Sequence, residues 1–113
     1  VTIGVLAEAM LLGEKGGADP AAIRDALKGG FADSVILQQH GERMTTGNFT
    51  PGGLTKFQLK DINNALEEAG HHSLSLPLTE QIQERYTALV NEMDGADTDH
   101  SAIYLELLRH NNL

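Results

Sequence analysis

Apolar residues recur at steps of three and four along most of the chain, and short runs of Gly, Pro, Asn and Asp interrupt them. Ile3, Leu6, Ala7, Met10 and Leu11 form the first such stripe, on a helix that stops at Gly16-Gly17, where glycine takes the left-handed conformation without a side-chain clash. No Ser, Thr, Asp or Asn cap precedes that helix. Asp19-Pro20 opens a second one, with a carboxylate to accept from free N–H groups and a proline where no hydrogen bond is lost, and Gly29-Gly30 closes it. A third segment starts near Asp33 or Ser34. Its Val35, Ile36 and Leu37 suit a strand, but Gln38, Gln39, Glu42, Arg43 and Met44 favour a helix and no partner strand is visible.

Thr45 to Gly53 reads as a loop of Thr, Gly, Asn and Pro. From Thr55 to Ala69, the residues Leu59, Ile62, Leu66 and Ala69 make the clearest helical stripe of the chain. Ser75 to Thr79 begins the next helix, with Pro77 in its first turn and Ile82, Tyr86, Leu89 and Val90 on its buried face. Asn91 to Thr98 is a polar loop, and Asp99 caps a final helix whose Ala102, Ile103, Leu105, Leu107 and Leu108 form an apolar side. Six helices with short connections and no strand pair predict an all-α bundle, one domain over residues 1–113.

Length and composition narrow this further. A chain of 113 residues has room for one core, and with only five aromatic side chains that core is aliphatic. The formal net charge of −8 repels a phosphate backbone, which argues against nucleic acid as a partner. The absence of cysteine excludes a disulfide framework and thiolate metal sites. With no apolar run long enough to span a bilayer and no signal-peptide pattern, a cytoplasmic protein without membrane contact is expected. Val1 is not an initiator methionine, and the first residues look like the interior of a helix, so a domain excised from a longer chain is expected.

The residues that suggest chemistry lie in the second half. A Pro51-Gly52-Gly53 bend opens the Thr55 helix, which carries the pair Lys60-Asp61; Leu76-Pro77-Leu78-Thr79 and Asp99-His100-Ser101-Ala102 follow. Lys60 and Asp61 point about 100° apart on a helix, with Lys56, Asn63 and Asn64 sharing the face of Lys60 while Leu59 and Ile62 turn to the core. A lysine so placed can reach one small anion even in an acidic chain. By residue pattern alone, an ordinary solvated helix face is the better reading.

This ordered set, with Gly17-Ala18-Asp19-Pro20, Gly29-Gly30 and Ser34 also in register, resembles the C-terminal helical domain of the β-hydroxyacid dehydrogenases, a bundle of the 6-phosphogluconate dehydrogenase type. The resemblance covers nearly the whole chain. It implies that Lys60 contacts the NAD or NADP of the parent enzyme and that Asp61 lies beside the active-site cleft. Gly53 stands where the family often carries a phenylalanine lining that cleft. The resemblance further implies a small 3-hydroxy acid as substrate, of the 3-hydroxyisobutyrate or 2-hydroxy-3-oxopropionate type, and a homo-oligomer. The family's acid/base lysine and its Gly-rich nucleotide-binding domain belong upstream of Val1, so no catalytic residue is assigned here and this domain alone is expected to be inactive. The competing expectation is a non-enzymatic helical module for oligomerisation or protein binding.

Other groupings read as structural. Asp99-His100-Ser101 spells a hydrolase triad in sequence, yet triad groups converge from separate elements, and a helix cap is the better reading. Asp94, Asp97 and Asp99 hint at calcium, but Leu105 stands where an EF-hand loop needs glutamate. No two histidines have zinc-site spacing, His71 and His72 fall in a presumed loop, and no metal is expected. Met10, Met44 and Met93 fill the core.

Overall fold

The computed structural model describes residues 1–113 and contains the expected six α-helices and no strands. They are α1 (Thr2–Lys15), α2 (Pro20–Leu27), α3 (Val35–Thr46), α4 (Thr55–His71), α5 (Pro77–Glu92) and α6 (Ile103–His110), the last entered through a 3₁₀ turn at His100–Ala102. In chain order, α1 packs on α2, α3 and α6, while α4 packs on α5 and α5 on α6. The molecule is thus two helical groups joined through α6 and its 3₁₀ turn, which touches α1, α3 and α4. No helix is long and apolar enough to cross a membrane.

The helix ends follow local chemistry. Asp19 accepts from the Ala22 amide at 3.2 Å and starts α2 with Pro20 behind it, and the Ser34 hydroxyl accepts from the Leu37 amide at 2.9 Å to start α3. Those caps decide the Val35–Leu37 segment in favour of helix. Gly47, at φ 72°, closes α3. The loop expected from Thr45 therefore begins two residues later, because the hydroxyls of Thr45 and Thr46 bond back to the carbonyls of Gly41 and Glu42 and keep that turn helical. At the end of α4 the expectation also shifts. The helix runs through Gly70 to His71, and the left-handed residue that stops it is Ser73. His71 is therefore helical, not in a loop, and both it and His72 face the exposed Glu68 carboxylate.

Ile3, Leu6, Met10, Leu37, Met44, Ile62, Tyr86, Leu89 and Ile103 form one continuous aliphatic core with Tyr86 as its largest buried member. Close approach of two helices to α1 depends on glycine: a Cβ on Gly4 would stand 2.7 Å from Ile82 Cδ1, and one on Gly13 2.5 Å from Ile23 Cδ1. Polar ties link the groups. Tyr86 donates its hydroxyl to the His100 carbonyl at 2.8 Å, Arg85 donates to the buried Glu106 at 3.1 Å, and Tyr104 donates to Glu14 at 3.0 Å. Burial, and then the hydrogen bond and charge of Glu14, push the Tyr104 phenol up to about 12.

Because Tyr86 joins α5 to the 3₁₀ turn through one hydroxyl, Tyr86→Phe keeps the packing but strands the His100 carbonyl. Urea unfolding is expected to show a loss of about 1–2 kcal/mol with an unchanged slope on denaturant concentration.

Candidate functional site

The helix that carries Lys60 has an unusual start. Leu54 at its N-cap offers no capping side chain, and the first free amides are met by carbonyls from the distant 96–98 loop: Thr55 N donates to Thr98 O at 2.9 Å and Lys56 N to Ala96 O at 3.0 Å. Beside it the chain pairs as an isolated antiparallel bridge between Leu54 and Asp99. Asp99 N donates to Phe49 O at 3.1 Å and His100 N to Gly53 O at 2.7 Å. Thr55, fully buried, completes the seam by donating its hydroxyl to Asp99 O. The α4 N-terminus is therefore closed to an incoming anion by the protein's own backbone.

At the centre of the seam sits the Asp99 carboxylate, 1% exposed. Its Oδ1 accepts from the Gly52 and Gly53 amides at 2.9 and 3.1 Å, and its Oδ2 from the Ser101 amide at 2.9 Å and from the Ser101 hydroxyl. Arg43, from α3, places Nη1 3.7 Å from Oδ1 and donates to the Thr50 carbonyl. Burial pushes this carboxyl up, but the Ser101 and glycine hydrogen bonds to its charged form outweigh that and leave it lowered to about 2. The cap assigned to Asp99 is present, although it closes the 3₁₀ turn ahead of α6. The triad spelled by Asp99-His100-Ser101 is not assembled, since Ser101 bonds the carboxylate directly with no imidazole between them and is itself fully buried.

Two histidines flank the carboxylate. The His40 and His100 rings meet edge to face with centroids 4.7 Å apart, and His40 Nδ1, buried and without a hydrogen-bond partner, lies 3.8 Å from Asp99 Oδ2. Burial, and then the neighbouring His100, lower the His40 pKa against the pull of Asp99. Ligand atoms of His40, Asp99 and His100 fall within 4.8 Å of one another, a convergence the spacing of the histidines did not suggest. The acceptor positions of Asp99 are, however, already taken by four donors, and the Arg43 guanidinium is close by. This is the arrangement of a hydrogen-bond hub. Asp97, considered for calcium, instead pairs with Lys56 at 2.7 Å.

Of the three residues that the resemblance placed at the cofactor or the cleft, Lys60, Asp61 and Gly53, only Gly53 belongs to the hub. A Cβ there would come within 3.0 Å of the His100 ring. Lys60 and Asp61 are exposed on α4 and neither hydrogen-bonds nor ion-pairs with the hub. The Lys60 amine lies 5.8 Å from the Phe57 ring centroid, on a ring that Lys56 also approaches, and has no carboxylate partner. Asn63, on the same helix, is tied to Gln83 of α5 at 2.6 Å. Lys60 lies outside the groove of about 700 Å³ between α1, α5 and α6. His40 and Arg43 were missed by sequence reasoning. A faint signal existed, because Leu37, His40, Gly41 and Met44 share one buried helical face, and a histidine on such a stripe asks for a polar partner.

The hub's charge state predicts how stability varies with pH. The folded chain holds His40 below its ordinary 6.5 and Asp99 below its ordinary 3.8, so in both cases the unfolded chain binds the proton first as pH falls. Thermal midpoints are expected to begin dropping below pH 6.5 and to drop again between 3.8 and about 2, with Asp99→Asn abolishing the second step. At neutral pH, Asp99→Ala is expected to cost about 3–5 kcal/mol by leaving Arg43 and four donors unanswered.

With the geometry established, comparison with known proteins gives the family. Residues 1–107 match the family model described as the NAD-binding domain of NADP-dependent 3-hydroxyisobutyrate dehydrogenase. The chain is 42% identical over 115 residues to 2-hydroxy-3-oxopropionate reductase of Escherichia coli strain K12, covering 100% of this chain and 39% of the reductase. It is 31% identical to the probable 3-hydroxyisobutyrate dehydrogenase-like 2, mitochondrial, of Arabidopsis thaliana, over 80% of this chain and 29% of that protein. In fold it matches 3-hydroxyisobutyrate dehydrogenase from Salmonella typhimurium with a TM-score of 0.84 at 22% identity, over 91% of this chain and 36% of that one. The chain spans about two fifths or less of the length of these relatives. On the match of its whole length and its six-helix fold, it belongs to the 3-hydroxyisobutyrate dehydrogenase family of β-hydroxyacid dehydrogenases.

Proposed function

We propose that these 113 residues are the helical C-terminal domain of an NAD(P)-dependent dehydrogenase that interconverts a small 3-hydroxy acid and its aldehyde acid, of the 2-hydroxy-3-oxopropionate or 3-hydroxyisobutyrate type. The observation that carries this reading is the 42% identity, maintained over the entire chain, to a reductase of that substrate class. In this reading the nucleotide-binding domain and the acid/base lysine lie in another part of the parent, and the helical domain closes one side of the cleft and takes part in subunit association.

The residues fit such a division of labour. Lys60 extends from α4 into solvent without a carboxylate to neutralise it, so drawing its amine to a ligand breaks no ion pair. In a chain of net charge −8, an unpaired cation is what a polar or anionic part of the cofactor needs nearby. Asp61 is exposed one residue on and about 100° round the helix, and in this reading it lines the cleft beside Lys60. Gly53 presents bare backbone there, at a position where a Cβ would crowd the His100 ring at 3.0 Å. When bound, the nicotinamide cofactor supplies the hydride chemistry, which no side chain of this domain can provide. The domain's share is to bind, to orient and to exclude water, so by itself it is inactive.

In the full-length parent, Lys60→Ala is expected to raise the Michaelis constant for NAD(P)H by roughly ten- to a hundredfold, the loss of one charge-assisted hydrogen bond, while thermal stability is unchanged. An unaltered constant overturns the role of Lys60. A wild-type parent that reduces no aldehyde acid with NAD(P)H overturns the dehydrogenase reading itself.

A further inference from the structure

The two oxygens of Asp99 serve different parts of the molecule. Oδ2 holds Ser101 and so the entry to α6, whereas Oδ1 holds the bend at Gly52 and Gly53, the segment that leads into the Lys60 helix. Arg43 sides with Oδ1. Its guanidinium reaches both that oxygen and the Thr50 carbonyl, and spans from α3 to the loop that follows it.

The loop has little else to fix it. Asn48, Thr50, Pro51 and Gly52 are exposed, Gly52 and Gly53 have no side chains to pack, and Phe49 alone reaches the core. Its remaining anchors are the Asp99 amide on Phe49 O and the His100 amide on Gly53 O. The position of the bend is therefore set by polar groups from the end of α3 and from one remote stretch, Asp99-His100. The fit is also tight, since a Cβ on Gly52 would lie 3.3 Å from Arg43 Nη2 and 3.5 Å from Asp99 Oδ1.

From this division of labour we infer that Arg43 and the Oδ1 side of Asp99 are positioning residues for the hydroxy acid: they fix where the Gly52-Gly53 backbone stands in the cleft without touching the substrate. The inference rests on the dehydrogenase reading above, which puts Gly53 at the cleft. Ser101 anchors the opposite side of the same carboxylate and stabilises the α6 entry with no bond to the bend. Contacts a few residues from a substrate govern its rate through orientation, so a loosened bend acts on the hydroxy acid and leaves the cofactor site, further along α4, alone.

The test compares two variants of the full-length enzyme, Arg43→Met and Ser101→Ala, by steady-state kinetics and thermal unfolding. Arg43→Met is expected to raise the KM of the hydroxy acid roughly tenfold with the KM of NAD(P) unchanged, and Ser101→Ala to lower the unfolding temperature at least as much yet keep both constants within about twofold of wild type. Arg43→Lys, which retains one donor for Thr50, is expected to recover most of the loss, and Arg43→Gln, too short to reach the Thr50 carbonyl, serves in place of Arg43→Met if that variant does not fold. Should KM follow unfolding temperature in both variants, or stay unchanged when Arg43 is replaced, the positioning role is overturned and the dehydrogenase reading stands. Absence of activity in the wild-type enzyme overturns both.

Discussion

A single buried negative charge organises the functional end of this bundle. Asp99 is removed from water, which by itself disfavours its ionised form, and stays ionised because four donors and a guanidinium converge on it. Those partners come from α3, from the loop before α4 and from the turn before α6. Three stretches of chain are therefore registered to one another by geometry-specific bonds, where aliphatic packing alone would leave them free to slide.

The same economy of charge extends over the surface. Lys28, Arg43, Lys56, Arg85 and Arg109 each have a carboxylate within ion-pair distance. Lys15, Arg24 and Lys60 have none, and Arg24 has its Nε buried. Exposed pairs such as Lys56 with Asp97 contribute little to stability, but they do decide which cations are already occupied. Of Lys15, Arg24 and Lys60, only Lys60 lies on α4. The bend amides and the first amides of α4 are committed internally, so the amine at position 60 is the unpaired positive charge that this helix presents outward.

How much of this was visible in the residue order depends on the range of the interaction. The stripe Leu59, Ile62, Leu66 and Ala69, the Asp19-Pro20 start and the Ser34 cap are local, and each lies where its spacing put it. Even Asp99 was legible as a cap, because its bond to Ser101 spans two residues. Its bonds to Gly52 and Gly53 span more than forty and left no periodic trace. Arg43 looked like a solvated helical residue, and His40 like one of several unremarkable histidines, because nothing in the sequence tells which remote loop will come to rest beside them. The end of α4 was less legible: the helix runs two residues past Ala69, through Gly70, and the turn comes at Ser73.

The borrowed start of α4 has a temporal side. Thr55 and Lys56 give their amides to carbonyls at Thr98 and Ala96, so this helix has no finished first turn until some forty later residues have been made. As the chain emerges from the ribosome, α2 and α3 can start early on their own caps, while the segment from Thr55 onward waits with an open end for the polar loop that completes it. The segment from Ala96 to His100 thereby acts as the clasp that admits α4 to the finished bundle, and a truncation after Glu92 would leave that helix frayed at the end nearest the bend.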